Sequence, residues 1–101
     1  MAKTGKAAEE VKTIKVAGDL RIAAAAATFD VLRKAAESAD QSVALDGGDV
    51  EKVDAAGLQA LLAGRQALVR AGKTVSWTGC SAQLKAAASL LGLAGPLEIA
   101  D

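Results

Sequence analysis

Apolar residues recur along this chain with two different spacings, and the changes between the two mark the predicted elements. Apolar and polar residues alternate in three short segments, which predicts β-strands at 11–16, 42–46 and 74–78. Apolar residues recur every three or four positions in three longer segments, which predicts helices at 22–38, 54–71 and 81–91. Strands that alternate with helices of this length pair in parallel through right-handed connections, so the pattern predicts a single α/β layer fold.

One face of each predicted strand and one stripe of each predicted helix form the expected core. From the strands and their flanking loops it includes Ile14, Val16, Val43, Leu45, Val50, Val53, Val75 and Trp77. From the helices it includes Ile22, Ala25, Phe29, Leu32, Ala36, Leu58, Leu61, Leu62, Leu68, Val69, Leu84, Ala87, Ala88 and Leu91. Asp54 and Ser81 are predicted N-caps, and Leu97 with Ile99 is predicted to add a short edge strand.

The length of the chain and its missing residue types exclude several kinds of chemistry. The chain has 101 residues, the size of one domain, which we place at 11–101 after a loose, charged tail at 1–10. It contains no histidine and one cysteine, so a histidine base, a Ser–His–Asp triad, a Cys–His dyad and an internal disulfide are impossible. A zinc site has almost no ligands available. We therefore predict a protein that is not an enzyme and needs no metal or other cofactor.

Charge and hydropathy argue against two large classes of partner. The 12 basic and 12 acidic residues give a net charge of zero, without the basic stripe typical of nucleic-acid-binding proteins. No apolar run approaches the ~20 residues that a membrane span needs, and the start MAKTGKAAEEVK lacks the apolar core of a signal peptide. The sequence predicts a soluble, cytoplasmic domain that neither binds nucleic acid nor inserts into a membrane.

The acidic, glycine-rich segment between the second strand and the second helix allows two interpretations. Asp46, Asp49, Glu51 and Asp54 supply carboxylates that a hard cation such as Mg²⁺ could use. The same residues are typical of a solvated loop rim that ends in an N-cap, and this interpretation is favoured. Cys80 stands before a predicted helix, a position that can stabilise a thiolate, but no histidine is available to activate it. Gly79 and Cys80 are expected to form a turn, in which Cys80 is a small, partly buried residue.

The same region carries a motif that resembles the STAS family, named for sulfate transporters and anti-sigma-factor antagonists. The family pattern is a strand that ends in Leu-Asp, a turn, and then Asp-Ser/Thr-x-Gly-Leu at the start of a helix. Here the two parts read Val43-Ala44-Leu45-Asp46 and Val53-Asp54-Ala55-Ala56-Gly57-Leu58. The resemblance covers about residues 12–95 and includes Leu90-Leu91-Gly92-Leu93 at the end of the last helix.

The resemblance implies both a fold and a general role. The fold is a small mixed, largely parallel β-sheet with three or four helices packed mainly on one face. Many members are not enzymes and bind a protein partner with the loop after the central strand and the helix that follows. In anti-sigma antagonists, a kinase phosphorylates the Ser or Thr after the motif Asp. Here that position holds Ala55, which has no hydroxyl and cannot be phosphorylated.

Carried onto this sequence, the resemblance implies a bacterial signalling adaptor with a defined contact surface. Its centre is the segment Asp54-Ala55-Ala56-Gly57, its charged rim is Asp49, Glu51 and Lys52, and Gln59 with Leu62 extends it along the helix. The implied partner is a kinase-type ATPase of the histidine-kinase superfamily, in a chemotaxis or anti-sigma circuit. The alternative partner is the ATPase subunit of a bacterial phospholipid-transport ABC complex. The alanines at 23–27 leave a smooth helix face that could also support a homodimer.

Overall fold

Parallel strands form the sheet, and helices connect one strand to the next. The computed structural model describes residues 11–99, so the predicted tail at 1–10 lies outside the described residues. The elements are β1 (Val11–Lys15), β2 (Asp19–Leu20), α1 (Ile22–Ala36), β3 (Ser42–Gly47), β4 (Lys52–Val53), α2 (Ala55–Arg70), β5 (Thr74–Cys80), α3 (Ala82–Leu90) and α4 (Ala94–Leu97). Strands β1, β3 and β5 pair in parallel with β3 at the centre. The predicted α/β fold class, with a small sheet and three or four helices, is confirmed.

The main sheet extends further along β5 than the alternation of residues predicts. Gly79 and Cys80, expected to form a turn, continue the strand and pair with Asp46 and Gly47 of β3. A register shift between Leu45 and Asp46 precedes these two pairs. Such a bulge bends the strand without ending it, so two small residues at the end of β5 keep their place in the sheet. The predicted turn at 79–80 is therefore wrong.

A second, very short sheet holds together the loops that precede α1 and α2. Strands β2 and β4 have two residues each and pair in parallel. The carbonyl oxygen of Gly18 accepts hydrogen bonds from the backbone N–H groups of Glu51, at 2.8 Å, and Lys52, at 3.1 Å. The backbone N–H of Asp54 donates to the Leu20 carbonyl at 3.2 Å. Two residues are too few for an alternating pattern, so neither of these strands is predicted from the sequence.

Leucines and valines from every layer form the core. The largest side chains with no appreciable exposure are Leu20, Leu32, Leu45, Leu58, Leu61, Leu68, Leu84, Leu97, Val43 and Val50. All but Leu20 and Leu97 belong to the core predicted from the sequence. Leu20 is buried within the short β2, and Leu97 within α4, where no helix was expected.

Three residues expected in the core are instead exposed. Ile22 is 72% exposed, Val69 49% and Leu91 45%. Ile22 begins α1, and Leu91 follows the last residue of α3, so each lies at a helix end beyond the packed turns. Val69 follows the buried Leu68 directly, and the 100° turn between neighbouring helical residues carries its side chain away from the core.

The last element among the described residues is a short helix, where the sequence predicts an edge strand. Residues Ala94–Leu97 form α4, and Glu98 ends it in the left-handed conformation with φ 58°. The indole Nε1 of Trp77 donates to the Leu97 carbonyl at 2.9 Å. Ile99 is buried against the core behind this turn. The alternation of Leu97 and Ile99 therefore reflects burial on both sides of a helix end, and the predicted strand is wrong.

Helices α1 and α2 pack together at a glycine. A Cβ atom placed on Gly64 of α2 would lie 2.5 Å from Cδ1 and 2.6 Å from Cβ of Leu32 in α1. The absence of a side chain at Gly64 lets Leu32, which is 1% exposed, fill the space between the two helices. The two helices thereby approach each other closely at this point, well away from their starts.

Removing the hydroxyl of Ser81 should destabilise the domain moderately through α3. The predicted N-cap is confirmed, because Ser81 Oγ accepts from the backbone N–H of Leu84 at 3.0 Å. We expect Ser81→Ala to cost about 1 kcal/mol in the free energy of unfolding, and Ser81→Asp to retain most of it. Urea denaturation measures this cost, with the exposed Ser89→Ala as control. Equal unfolding midpoints for Ser81→Ala and Ser89→Ala would contradict the capping role.

Candidate partner-binding site

The predicted contact residues lie where the loops before α1 and α2 meet. Parallel strands end at the same edge of a sheet, and the loops that follow β1 and β3 leave from that edge. The short strands β2 and β4 then join these two loops side by side. The segment predicted as the centre of the surface, 54–57, therefore begins α2 directly beside the start of α1.

A single carboxylate, that of Asp54, holds the first turns of both helices. Its Oδ1 accepts from the backbone N–H of Gly57 at 2.8 Å, which confirms the predicted N-cap of α2. Its Oδ2 accepts from the backbone N–H of Ile22 at 2.9 Å, across 32 residues of sequence. Helix α1 has no side-chain cap from its own N-cap residue, Arg21. Asp54 thus replaces a local cap for α1 and fixes the two helix starts to each other.

The same hydrogen bonds favour the charged form of Asp54. The backbone N–H groups of Gly57 and Ile22, and then the positive charge of Arg21, lower the pKa of Asp54 below its ordinary value. Two donated hydrogen bonds stabilise the carboxylate more than its partial burial disfavours it. The carboxylate is therefore ionised at neutral pH, which is the form that accepts both bonds.

Gly57 is required by the close approach of α2 to β2. A Cβ atom at this position would lie 2.0 Å from the carbonyl oxygen and 2.6 Å from the carbonyl carbon of Leu20. Gly57 itself is buried, whereas Ala55 is exposed and Ala56 is half-buried. The first turn of α2 therefore packs its glycine against β2 and presents Ala55 to the outside.

The charged rim predicted at Asp49, Glu51 and Lys52 is exposed, and one of its three charges is paired. Lys15 at the end of β1 forms an ion pair with Asp49, with Nζ 2.8 Å from Oδ2, and this contact raises the pKa of Lys15. Glu51 and Lys52 are also exposed. The rim thus offers charges of both signs to a partner, which suits a role in orientation more than in affinity.

Three residues before and at the start of α1 belong to the same surface but were not predicted. Arg21 donates two hydrogen bonds to Asp19, from Nε to Oδ1 at 2.6 Å and from Nη2 to Oδ2 at 2.8 Å. These bonds lower the pKa of Asp19. Ile22, whose backbone is held by Asp54, exposes its side chain. The sequence does not show that Arg21 and Ile22 lie beside Asp54. The cap of Ile22 comes from a residue 32 positions away, and no local pattern indicates such a contact.

Further along α2, the predicted extension of the surface is only partly exposed. Gln59 is exposed and Leu62 is half-buried, four and seven residues after Ala55. These spacings keep the three residues on one face of the helix. Of the nine predicted residues, four precede α2 and five lie in its first half, and Gly57 is the one whose side-chain position is enclosed.

Comparison with known proteins identifies the family. The family model described as "Mlab, STAS domain" matches residues 4–99. The chain belongs to the STAS domain family. A solved structure with the same fold is that of a sulfate transporter family protein from Wolinella succinogenes, with a TM-score of 0.74 and 22% sequence identity. The match covers 88% of this chain and 72% of that one. The search of curated proteins found no match.

This STAS domain has one cysteine, and its surroundings do not activate it. The single cysteine, Cys80, is partly buried at the end of β5, and burial raises the pKa of its thiol. A raised thiol pKa disfavours the nucleophilic thiolate. In residues 11–99 no three His, Cys, Asp or Glu side chains are grouped to hold a metal ion. In the same range no helix has the length and apolar character to cross a bilayer.

Proposed function

We propose that this STAS domain is a non-catalytic adaptor that binds a protein partner through the start of α2. The contact centre is the segment 54–57, and the partner is a kinase-type ATPase of the histidine-kinase superfamily in a chemotaxis or anti-sigma circuit. The observation that carries the proposal is the double hydrogen bond of Asp54, which fixes the starts of α1 and α2 as one rigid surface. A preformed surface loses little conformational entropy when a partner binds.

The chemistry of the surface supports docking more than turnover. Ala55 is small and exposed, and Ile22 beside it supplies a large exposed aliphatic side chain. A small residue beside an apolar anchor lets a partner backbone approach closely and bury the anchor. The chain contains no histidine, and the fold places Cys80 at the end of β5 rather than in this surface.

The alanine at the position after the motif Asp sets the regulation of the surface. A phosphate added at that position would bring about −1.5 to −2 charges to the helix start, next to the Asp54 carboxylate. Ala55 cannot accept one, so the surface keeps a single charge state. We infer an adaptor that is always competent to bind, with any control exerted on the partner or on its amount.

A second candidate function is that of the STAS subunit of a phospholipid-transport ABC complex, bound to the ATPase subunit. The description of the matching family model, which carries the name Mlab, favours it. The same surface would serve both functions, since each needs a stable contact with an ATPase and neither needs a phosphorylation site. The two differ in which ATPase binds.

Ala55→Glu should abolish partner binding and leave the fold intact. The added side chain places a negative charge and a longer chain at the contact centre, beside the Asp54 carboxylate. We expect capture of the partner from a lysate of the source bacterium by tagged domain to be lost. With the purified partner, we expect binding at least about tenfold weaker, which corresponds to about 1.4 kcal/mol.

The matched control is Ala86→Glu, which adds the same charge to an exposed position on α3. Circular dichroism melts of both variants establish that each is folded. Recovery of a kinase-type ATPase supports the signalling adaptor, and recovery of an ABC ATPase supports the transport subunit. Binding by Ala55→Glu that equals binding by Ala86→Glu would show that the start of α2 is not the contact centre.

A further inference from the structure

The outer face of α2 continues past the predicted contact residues into a cleft. Ala55, Gln59, Leu62, Gln66 and Val69 follow one another at spacings of four and three residues, so they form one face along the whole helix. All but Leu62, which is half-buried, are exposed. At its far end this face opens into a cleft of about 380 Å³, which we call the Arg65 cleft, lined by Arg65, Gln66, Val69, Arg70 and Pro96.

Arg65 is buried, and only some of its N–H groups have partners. Arg65 is 9% exposed, an unusual degree of burial for a charged residue. Its Nη2 lies 2.8 Å from Oε1 of Glu98, and its Nη1 donates to the Pro96 carbonyl at 3.4 Å. Its Nε is buried and has no hydrogen-bond partner within the described part of the chain. A guanidinium can donate five hydrogen bonds in a planar fork, so Arg65 retains unused donor capacity.

A second cation, Arg70, lines the same cleft. No carboxylate among residues 11–99 lies within ion-pair distance of it. The side chain of Glu98, by contrast, is 68% exposed, and among residues 11–99 its carboxylate forms an ion pair with Arg65 alone. Only the Glu98 end of this ion pair is exposed to water, which weakens the hold of that carboxylate. Two guanidinium groups therefore line a cleft whose apolar walls are Val69 and Pro96, and of the two only Arg65 is paired with a carboxylate.

We propose that the Arg65 cleft is a carboxylate-binding subsite that receives an aspartate or glutamate side chain of the protein partner. The inference rests on the proposed function, because the cleft continues the face of α2 that begins at Ala55. Glu98 acts as an internal carboxylate that occupies Arg65 while the domain is free. Arginine forks match carboxylates in two-point geometry, and Glu98 already reaches Arg65 through one carboxylate oxygen, which leaves the rest of the fork for a second carboxylate.

A titration that needs no partner tests the subsite. Glutarate, which carries the carboxylate of a glutamate side chain, is added to ¹⁵N-labelled domain, and the Nε–H signals of the arginines are followed by NMR. We expect saturable shifts of the Arg65 and Arg70 signals and of the Gln66 side-chain amide. Arg33, already paired with Asp30 and Glu37, serves as the internal control and should not shift in the same way.

Two variants make the competition with Glu98 measurable. Glu98→Gln removes the internal carboxylate and should raise the affinity for glutarate severalfold. Arg70→Gln removes the exposed cation and should lower that affinity severalfold. An unchanged affinity in Glu98→Gln would overturn the role assigned to Glu98, and equal shifts of Arg33 and Arg65 would overturn the subsite itself. Inorganic phosphate that binds more tightly than glutarate would overturn the assignment to a carboxylate.

Different measurements test the carboxylate subsite and the proposed function, so one can be contradicted without the other. The glutarate titration contains no partner, so it can succeed even if the domain captures no ATPase. Conversely, the comparison of Ala55→Glu with Ala86→Glu can succeed while glutarate does not bind. Where both succeed, Arg70→Glu should weaken binding of the purified partner, and the loss should shrink as salt screens the charges.

Discussion

Gly57→Ala is expected to unfold the domain or to lower its free energy of unfolding by more than about 3 kcal/mol. The added Cβ would lie 2.0 Å from the Leu20 carbonyl oxygen, which belongs to the backbone of β2 and cannot rotate away. Relief of this clash requires α2 to move off β2. That movement would lengthen the hydrogen bond from the Asp54 N–H to the Leu20 carbonyl and the one from the Ile22 N–H to the Asp54 carboxylate.

The matched control for this change is Gly79→Ala. Gly79 lies in β5, where the nearest atom to an added Cβ is Oδ1 of Asp46 at 3.9 Å, an ordinary contact, so alanine should be neutral or slightly stabilising there. Urea denaturation followed by circular dichroism compares the two variants with the native chain. Gly57→Ala with an unfolding midpoint close to that of Gly79→Ala would show that α2 can shift at little cost.

The sequence motif predicts a glycine at position 57 but does not show why a glycine is needed there. The motif places a glycine three residues after Asp54, and the position of the helix start follows from that pattern. The close approach to Leu20 depends on the pairing of β2 with β4, which have two residues each. Periodicity cannot reveal strands shorter than one repeat, so the physical reason for the glycine becomes visible only in three dimensions.

The predictions that succeeded rest on patterns several residues long. The alternation in β3 and β5 and the helical stripe of Leu58, Leu61 and Leu68 each repeat often enough to specify an element and its buried face. Val69 was misplaced because it neighbours a true core residue within a helix rich in apolar positions. Arg65 was missed because a charged residue is normally read as solvent-exposed.

In the candidate site, too, the sequence predicts local contacts and misses long-range ones. Asp54 was predicted as the N-cap of α2 because a cap and its helix are adjacent in sequence. Its bond to Ile22 joins residues 32 positions apart, so no local signal exists for it. The extension of the candidate surface onto α1 therefore depends on the tertiary structure, whereas its predicted centre at Ala55 followed from the motif.

Asp54→Ala should lower the melting temperature of the domain by several degrees, and Asp54→Asn should lower it less. Alanine removes the acceptors for both Gly57 and Ile22. Asparagine is as good an N-cap as aspartate and can keep its Oδ1 facing the Gly57 N–H, but its amide nitrogen then faces the Ile22 N–H, and two donors cannot bond. The difference between the two variants measures the cap of α2, and the loss in Asp54→Asn measures the link to α1.

The pH dependence of stability provides an independent measurement of the same carboxylate. The folded pKa of Asp54 is lowered, so its ionised form binds the helix starts better than its protonated form. The resulting stabilisation is present above the unfolded pKa of about 3.9 and is lost as the pH falls through the lower, folded value. Melting curves of the native chain should therefore converge with those of Asp54→Asn in acid below that range, and separate from them towards neutral pH.

Because the pKa of Asp19 and that of Asp30 are also lowered, the comparison uses the difference between native and variant melting temperatures at each pH. Asp49→Asn is the control, since the exposed ion pair with Lys15 should contribute little to stability. A difference for Asp54→Asn that stays constant from neutral to acid pH would mean that the charge of Asp54 does not hold the two helices. A difference that vanishes in acid would establish that one ionised carboxylate makes the starts of α1 and α2 a single surface.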